Sequence, residues 1–256
     1  MSTPTIVLCA PLCGLFVSLA AAASERQDAR DIMKNADALV RKSRTYQAVM
    51  VTTGTTPTGS FSMTSVWKLV PTEHKTSIKM NGNLFGEPMF TEIIDDGKTF
   101  YAFNVTRKVF SKGPHSLMRF AYPLKLVNEM LGDGEVSYLK PDILMGNKVH
   151  VLKKRTNAQF GSDMAPTVHL YFDQSTGRFV QMTMFGELSF EPGTPPKKFG
   201  ITVSVRNETL NAPVPESVFK FIPPPGAKET QSRGIGMGPM YPMGPGRMGG
   251  IRPPGQ

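Results

Sequence analysis

The sequence predicts a mainly β (α+β) domain: an antiparallel sheet of about ten strands, with an N-terminal helix and a central helical insertion. Three observations predict it. Period-two alternation of apolar and polar residues recurs between Tyr46 and Thr209, in runs separated by turn signals. Helical spacing occurs only near the start and in the middle. The chain has 256 residues, 40% of them hydrophobic and 19% charged, enough to bury one core. Two cysteines exclude a disulfide scaffold and a cysteine-based structural zinc site.

The first element is an address. Residues 1–24 contain no Lys, Arg, Asp or Glu, and an apolar run from Ile6 ends in Ala20 to Ala23. Small residues at Ala21 and Ala23 fit a cleavage site, so residues 1–23 are expected to be a signal peptide cleaved near Ala23. Pro11, Gly14 and Ser18 break the run, which disfavours a transmembrane anchor. Cys9 and Cys13 both lie inside it, so the mature chain would carry no thiol. A periplasmic location is the expectation.

A domain over residues 24–227 follows. Ala29, Ile32, Met33, Ala36, Leu39 and Val40 recur at helical spacing, with Ser24 as candidate N-cap. The period then changes to two. Tyr46, Ala48 and Met50 alternate with Gln47, Val49 and Val51, and residues 53–59 read as a turn. Phe61, Met63, Ser65, Trp67 and Leu69 form the next stripe, then His74, Thr76, Ile78 and Met80. Asp95-Asp96-Gly97 is a hairpin signal between Glu92–Ile94 and Lys98–Phe103.

The helical interlude is expected over Pro114–Leu131. Leu117, Phe120, Leu124, Val127, Met130 and Leu131 give it an apolar face, and Pro123 kinks or divides it. Strands resume at Glu135–Leu139 and Lys148–Lys154. A hairpin follows from Thr167–Asp173 to Arg178–Met184, then a Pro-rich loop at 191–198, Ile201–Thr209 and a closing piece over Pro215–Ala227. A meander this large must curl, close or pack on something, and two helices suit a cover for one face.

Residues 228–256 read as a disordered tail. From Thr230 onward there are 8 Gly, 5 Pro and 4 Met in 27 residues, without Leu, Val or Phe. Its methionines, Met237, Met240, Met243 and Met248, are soft thioethers of a kind that suits Cu(I). A linker without metal affinity is the preferred reading.

No constellation for covalent chemistry is present. The sequence holds no nucleophile elbow, zinc-helix motif, phosphate loop or dinucleotide fingerprint. His74, His115, His150 and His169 sit in separate segments, and most carboxylates mark turns. The expectation is a non-enzyme without cofactor or metal. The net charge of +9 lacks the aromatic-interleaved stripe of a nucleic-acid binder, so no nucleic-acid partner is expected. Asn104-Val105-Thr106 and Asn207-Glu208-Thr209 match the glycosylation sequon.

Five segments, read together, resemble the LolA/LolB family of periplasmic outer-membrane lipoprotein carriers. They are the helix followed by Ser43–Tyr46; Ser65–Pro71, an aromatic strand ending in Pro; the hairpin Asp95–Asn104; Leu170–Arg178 with its Asp-x-x-Thr-Gly turn; and Val218–Ala227, an aromatic strand ending in prolines and Gly-Ala. The resemblance covers about 200 residues in matching order. It implies a strongly curved, unclosed antiparallel half-barrel, with helices as a lid over an apolar cavity. Such proteins hold acyl chains without catalytic residues. The Pro-rich loop at 191–198 and the Met-rich tail depart from the pattern.

The implied function is a carrier for acyl chains of lipids or lipoproteins, with a membrane-bound donor or receptor as a further partner and a monomeric state. An envelope sensor or scaffold on the same fold is the alternative. Eleven methionines between Met33 and Met184 suit variable apolar cargo. The cavity-lining candidates are Phe61, Met63, Trp67, Leu69, Met80, Tyr101, Phe103, Leu170, Phe172, Met182 and Met184, with Leu117, Phe120 and Leu124 on the lid.

Overall fold

The computed structural model describes residues 28–115, 122–132, 134–155, 166–188 and 195–230. The expected signal peptide and tail therefore lie outside the described residues, apart from Lys228 to Thr230. Helix α1 covers 28–41. The strands are β1 Tyr46–Thr56, β2 Gly59–Val70, β3 Lys75–Leu84, β4 Glu87–Asp96, β5 Thr99–Asn104 and β6 Val109–Pro114. Helix α2, Pro123–Leu131, leads to β7 Val136–Leu144, β8 Asn147–Arg155, β9 Thr167–Asp173, β10 Phe179–Leu188, β11 Lys197–Leu210 and β12 Lys228–Glu229.

All twelve strands form one open sheet in the order β12-β6-β5-β4-β3-β2-β1-β11-β10-β9-β8-β7. Two meanders are joined where β1 pairs with β11, and every pairing is antiparallel except β12 on β6. The mainly β expectation holds, with twelve strands among the described residues where about ten are expected. The period-two signal misses β6 because Ser111, Lys112 and Gly113 interrupt its apolar residues. It also misses β12, which has only two residues.

Several boundaries move for local reasons. The turn expected at 53–59 shrinks to Pro57 and Thr58, since Thr56 pairs with Gly59. The β-branched threonines before Pro57 suit a strand. Pro123 opens α2, directly after the extended Tyr122. It occupies the first turn of α2, where its missing N–H would have no partner anyway. The part of the interlude over 116–121 lies outside the described residues, while Pro114 ends β6 instead of opening a helix.

The closing piece is not a strand over its length. Glu216–Phe219 forms a 3-10 turn, and Pro223, Pro224 and Pro225 follow without backbone donors. This segment is a strap on the outer face of the first meander. Phe221 stacks on Tyr101 (centroids 4.9 Å apart) and meets Phe110 (5.2 Å) and Phe103 (6.0 Å). Lys75–Glu216 (2.7 Å) and Lys112–Glu229 (3.1 Å) tie down its two ends.

The main core lies on the other face. Ala29, Ala36 and Val40 of α1 and Leu124, Val127 and Leu131 of α2 join one apolar cluster with the sheet. Both helices thus bury an apolar stripe against the same face of the sheet, as amphipathic helices must.

Candidate ligand cavity

The helix-covered face is built by strand register. Tyr138, Leu152, Leu170, Met182, Val203, Thr52 and Met63 are successive cross-strand partners from β7 to β2, ending against Gly82 on β3. A neighbouring row runs Lys154, Val168, Met184, Ile201, Gly54, Phe61 and Leu84. A third brings Ala48, Trp67, Ile78, Ile93 and Ala102 together. Partners in an antiparallel ladder point to the same side, so these rows make one continuous and mostly apolar surface.

Of the sequence candidates, Met63, Trp67, Leu69, Met80, Leu124, Leu170, Phe172, Met182 and Met184 meet in this single cluster. Phe61 shares the face by register but is half-buried near the strand end, edge-on to Phe85 at 6.1 Å. Leu117 and Phe120 lie outside the described residues. Tyr101 and Phe103 point to the opposite face, against Phe221. The strand β5 is apolar on both sides, with Phe100 and Ala102 facing the helices, so alternation alone could not choose between them. The sequence list omits Met50 and Val203, although Met50 follows Tyr46 and Ala48 in phase.

Polar groups on this face are few. The Trp67 indole donates to Ser65 Oγ at 2.7 Å, and Ser65 Oγ donates to the Met50 carbonyl at 3.4 Å. The hydroxyl of Thr52 is buried without a hydrogen-bond partner, among Met63 and Val203. Lys154, 5% exposed, reaches Asn128 on α2 at 3.5 Å. At one end of β4 the buried Asp95 carboxylate accepts from the Gly97 N–H at 2.9 Å and lies 2.8 Å from His115 Nδ1. Burial pushes the Asp95 carboxyl above the usual carboxylate range, against the opposing pull of His115 and Gly97.

Under α1 a cleft of about 10 Å³ is lined by Ala36, Leu39, Val40, Tyr122, Leu124 and Phe179, with Tyr46, Arg178 and Glu208 as its polar wall. That volume holds about one water. Burial raises the Glu208 carboxyl, while Arg178 and the Tyr46 hydroxyl counter the shift. Burial, and then the nearby Glu208 carboxylate, pushes the Tyr46 hydroxyl well above the ordinary phenol value. Among the described residues no group of three or more His, Cys, Asp or Glu side chains could hold a metal ion. No described helix is long and apolar enough to cross a membrane.

No family model matches the chain. A protein of Methanocaldococcus jannaschii is 27% identical over 140 residues, covering 53% of this chain; the chain spans 36% of that relative's length. An uncharacterised conserved protein from Thermus thermophilus shares the fold at a TM-score of 0.50, with 12% identity, over 79% of this chain and 98% of that one. The Mycobacterium tuberculosis lipoprotein LppX matches at 0.42, with 11% identity, over 72% and 96%. A LolA superfamily protein from Nitrosomonas europaea matches at 0.30, with 11% identity, over 75% and 97%. The likeness to the Thermus thermophilus protein is one of fold.

Proposed function

We propose that the chain is an envelope binding protein that carries acyl chains of lipids or lipoproteins on its helix-covered face, without covalent chemistry. The observation that carries this reading is the row from Leu152 to Met63, apolar except at Thr52, bordered by Met50, Met80 and Met184 and covered by α1 and α2. The LolA/LolB resemblance of the five sequence segments supports it. An unbranched thioether side chain re-packs easily, which suits chains of differing length. Removing ~14 methylenes from water at ~0.8 kcal/mol each is worth up to ~11 kcal/mol, so burial alone suffices to hold one chain. The protein would work outside the cytoplasm, after export through residues 1–23.

The dense packing of the same face favours a second reading, in which side chains fill the interior and the fold acts as an envelope sensor or scaffold. Met182, Leu170 and Leu152 are each 0% exposed. One measurement separates the two. Trp67 is the single tryptophan and sits on this face. Fatty acids brominated along the chain should quench its emission saturably if acyl chains enter. Emission unchanged by brominated chains, with an unbrominated fluorescent fatty acid also failing to bind, overturns the carrier reading.

A further inference from the structure

We infer that the β7–β8 hairpin is a membrane-contact element that docks on anionic lipid bilayers. Apart from Ile222 in the strap, Met145 (75% exposed) and Ile143 (69%) are the most exposed of the large apolar side chains among the described residues, and Leu139 beside them is 45% exposed. All three belong to one hairpin. β7 is the sheet's last strand, and the turn through Met145, Gly146 and Asn147 lies beyond the ties between β8 and β9, the last of which is the Gln174 N–H donating to the Lys148 carbonyl at 2.9 Å. The tip therefore stands clear of the neighbouring strand.

The tip is stiff. Leu144 pairs with Asn147 across a two-residue turn in which Met145 (φ 50°) and Gly146 (φ 84°) are both left-handed. That is the turn geometry whose twist matches the flanking strands. The Asp142 carboxylate accepts from the Ile143 N–H at 2.8 Å and keeps its charge, so Lys140 and Lys148 leave the hairpin tip with a cationic excess of one. A rigid turn holding Ile143 and Met145 in water spends little conformational entropy on insertion. Lys140 and Lys148, both exposed, flank the two apolar residues at a distance of three positions each. Apolar tip and cationic collar match the acyl boundary and phosphate layer of an anionic membrane surface.

The other occupant of an edge, an added strand, is opposed by the same residues. Pro141 has no N–H to donate, Leu139 sits in a register break between Tyr138 and Lys140, and Lys140 is charged. Each is a device that blocks edge pairing. The inference does not depend on the carrier reading, since docking needs no occupied interior.

The test uses the full chain with Cys9 and Cys13 replaced by Ser. A single new cysteine, Met145→Cys at the tip or Thr106→Cys at the exposed β5–β6 turn, carries an environment-sensitive nitrobenzoxadiazole label. Mixed phosphatidylcholine and phosphatidylglycerol vesicles should blue-shift and brighten the label at position 145, and leave that at position 106 unchanged. Local reporting matters because another apolar segment could tether the chain without involving the hairpin. Ile143→Asp, or Lys140→Glu with Lys148→Glu, should each weaken the response at position 145 by at least about tenfold. These residues are exposed, so unchanged thermal unfolding is the expected control. Equal responses at both positions, no response, or an equal response to phosphatidylcholine alone each overturn the inference. Quenching of Trp67 by brominated chains is a separate readout, so either proposal can fail alone.

Discussion

Arg178 holds Glu208 twice: its Nε lies 3.4 Å from the carboxylate, and its Nη1 donates to the Glu208 backbone carbonyl at 3.1 Å. The carboxylate, only 13% exposed at its side chain, is raised in pKa by burial against the pull of Arg178 and Tyr46. A raised carboxyl binds its proton more tightly in the folded state than in the unfolded one. Its contribution therefore favours folding at low pH and is lost as pH rises from the ordinary carboxylate value through the raised one. Glu208→Gln should flatten that part of the stability profile, read by urea unfolding at a series of pH values. An unchanged slope sinks the assignment. Arg178→Met should cost about 2 kcal/mol at neutral pH, because it removes a charged hydrogen-bonding partner.

The Thr52 hydroxyl is a buried polar group with nothing to bond. Thr52→Val keeps the shape and removes an unmet desolvation cost. The expected gain is about 1 kcal/mol in chemical unfolding. A loss would mean that the hydroxyl has a partner in solution.

Ser65→Ala should do the opposite. It strands the indole N–H of Trp67, which is 3% exposed and donates to Ser65 Oγ at 2.7 Å. A cost of about 1–3 kcal/mol is expected, with altered Trp67 emission as the local reporter. Emission and stability both unchanged would contradict the buried hydrogen bond.

Gly82 has no room for a side chain. A Cβ there would stand 2.2 Å from the Ser62 carbonyl oxygen and 2.7 Å from Met63 Cα. These are backbone atoms, so Gly82→Ala must push β2 and β3 apart. It should lose about 1–3 kcal/mol. Wild-type melting behaviour of this variant would show the two strands to be looser than the ladder implies.

The strap is tested through its central ring. Phe221→Ala removes the side chain shared by Tyr101, Phe103 and Phe110. Because Phe221 is half-buried, the loss should fall below the ~3–5 kcal/mol of a fully buried Phe, at about 2 kcal/mol. Hydrogen exchange should accelerate at Lys228 and Thr230, whose N–H groups bond Lys108 and Phe110 carbonyls at 3.0 and 2.8 Å. Exchange there at the wild-type rate would mean that the strap is held by its ion pairs alone.

Local chemistry was readable along the chain. The hairpin from Leu170 to Met182 turns on Asp173, whose carboxylate accepts from the Ser175 and Thr176 N–H groups at 3.0 and 2.8 Å, a bond set made within four residues. The alternation that marks Met63, Trp67 and Leu69 also chose the correct face, because Ser62, Thr64 and Lys68 between them are polar or charged. Helix α1 followed from the spacing of Ala29, Ala36 and Val40. Each of these signals is contained in neighbouring residues, so the linear sequence determined them.

Three features depended on contacts between distant parts of the chain. Tyr101 and Phe103 were legible as buried but not as outer-face residues, since β5 carries apolar side chains on both sides and the strap that covers one of them starts more than a hundred residues later. The joining of β1 to β11 makes one sheet of two meanders, and nothing local to Tyr46 or Leu210 announces that pair. The exposure of Ile143 and Met145 belongs to a hairpin whose turn lies past the ladder that pairs β8 with β9. Period and turn chemistry are properties of adjacent residues, whereas the choice of face, partner strand and edge is set by what the rest of the chain leaves to be covered.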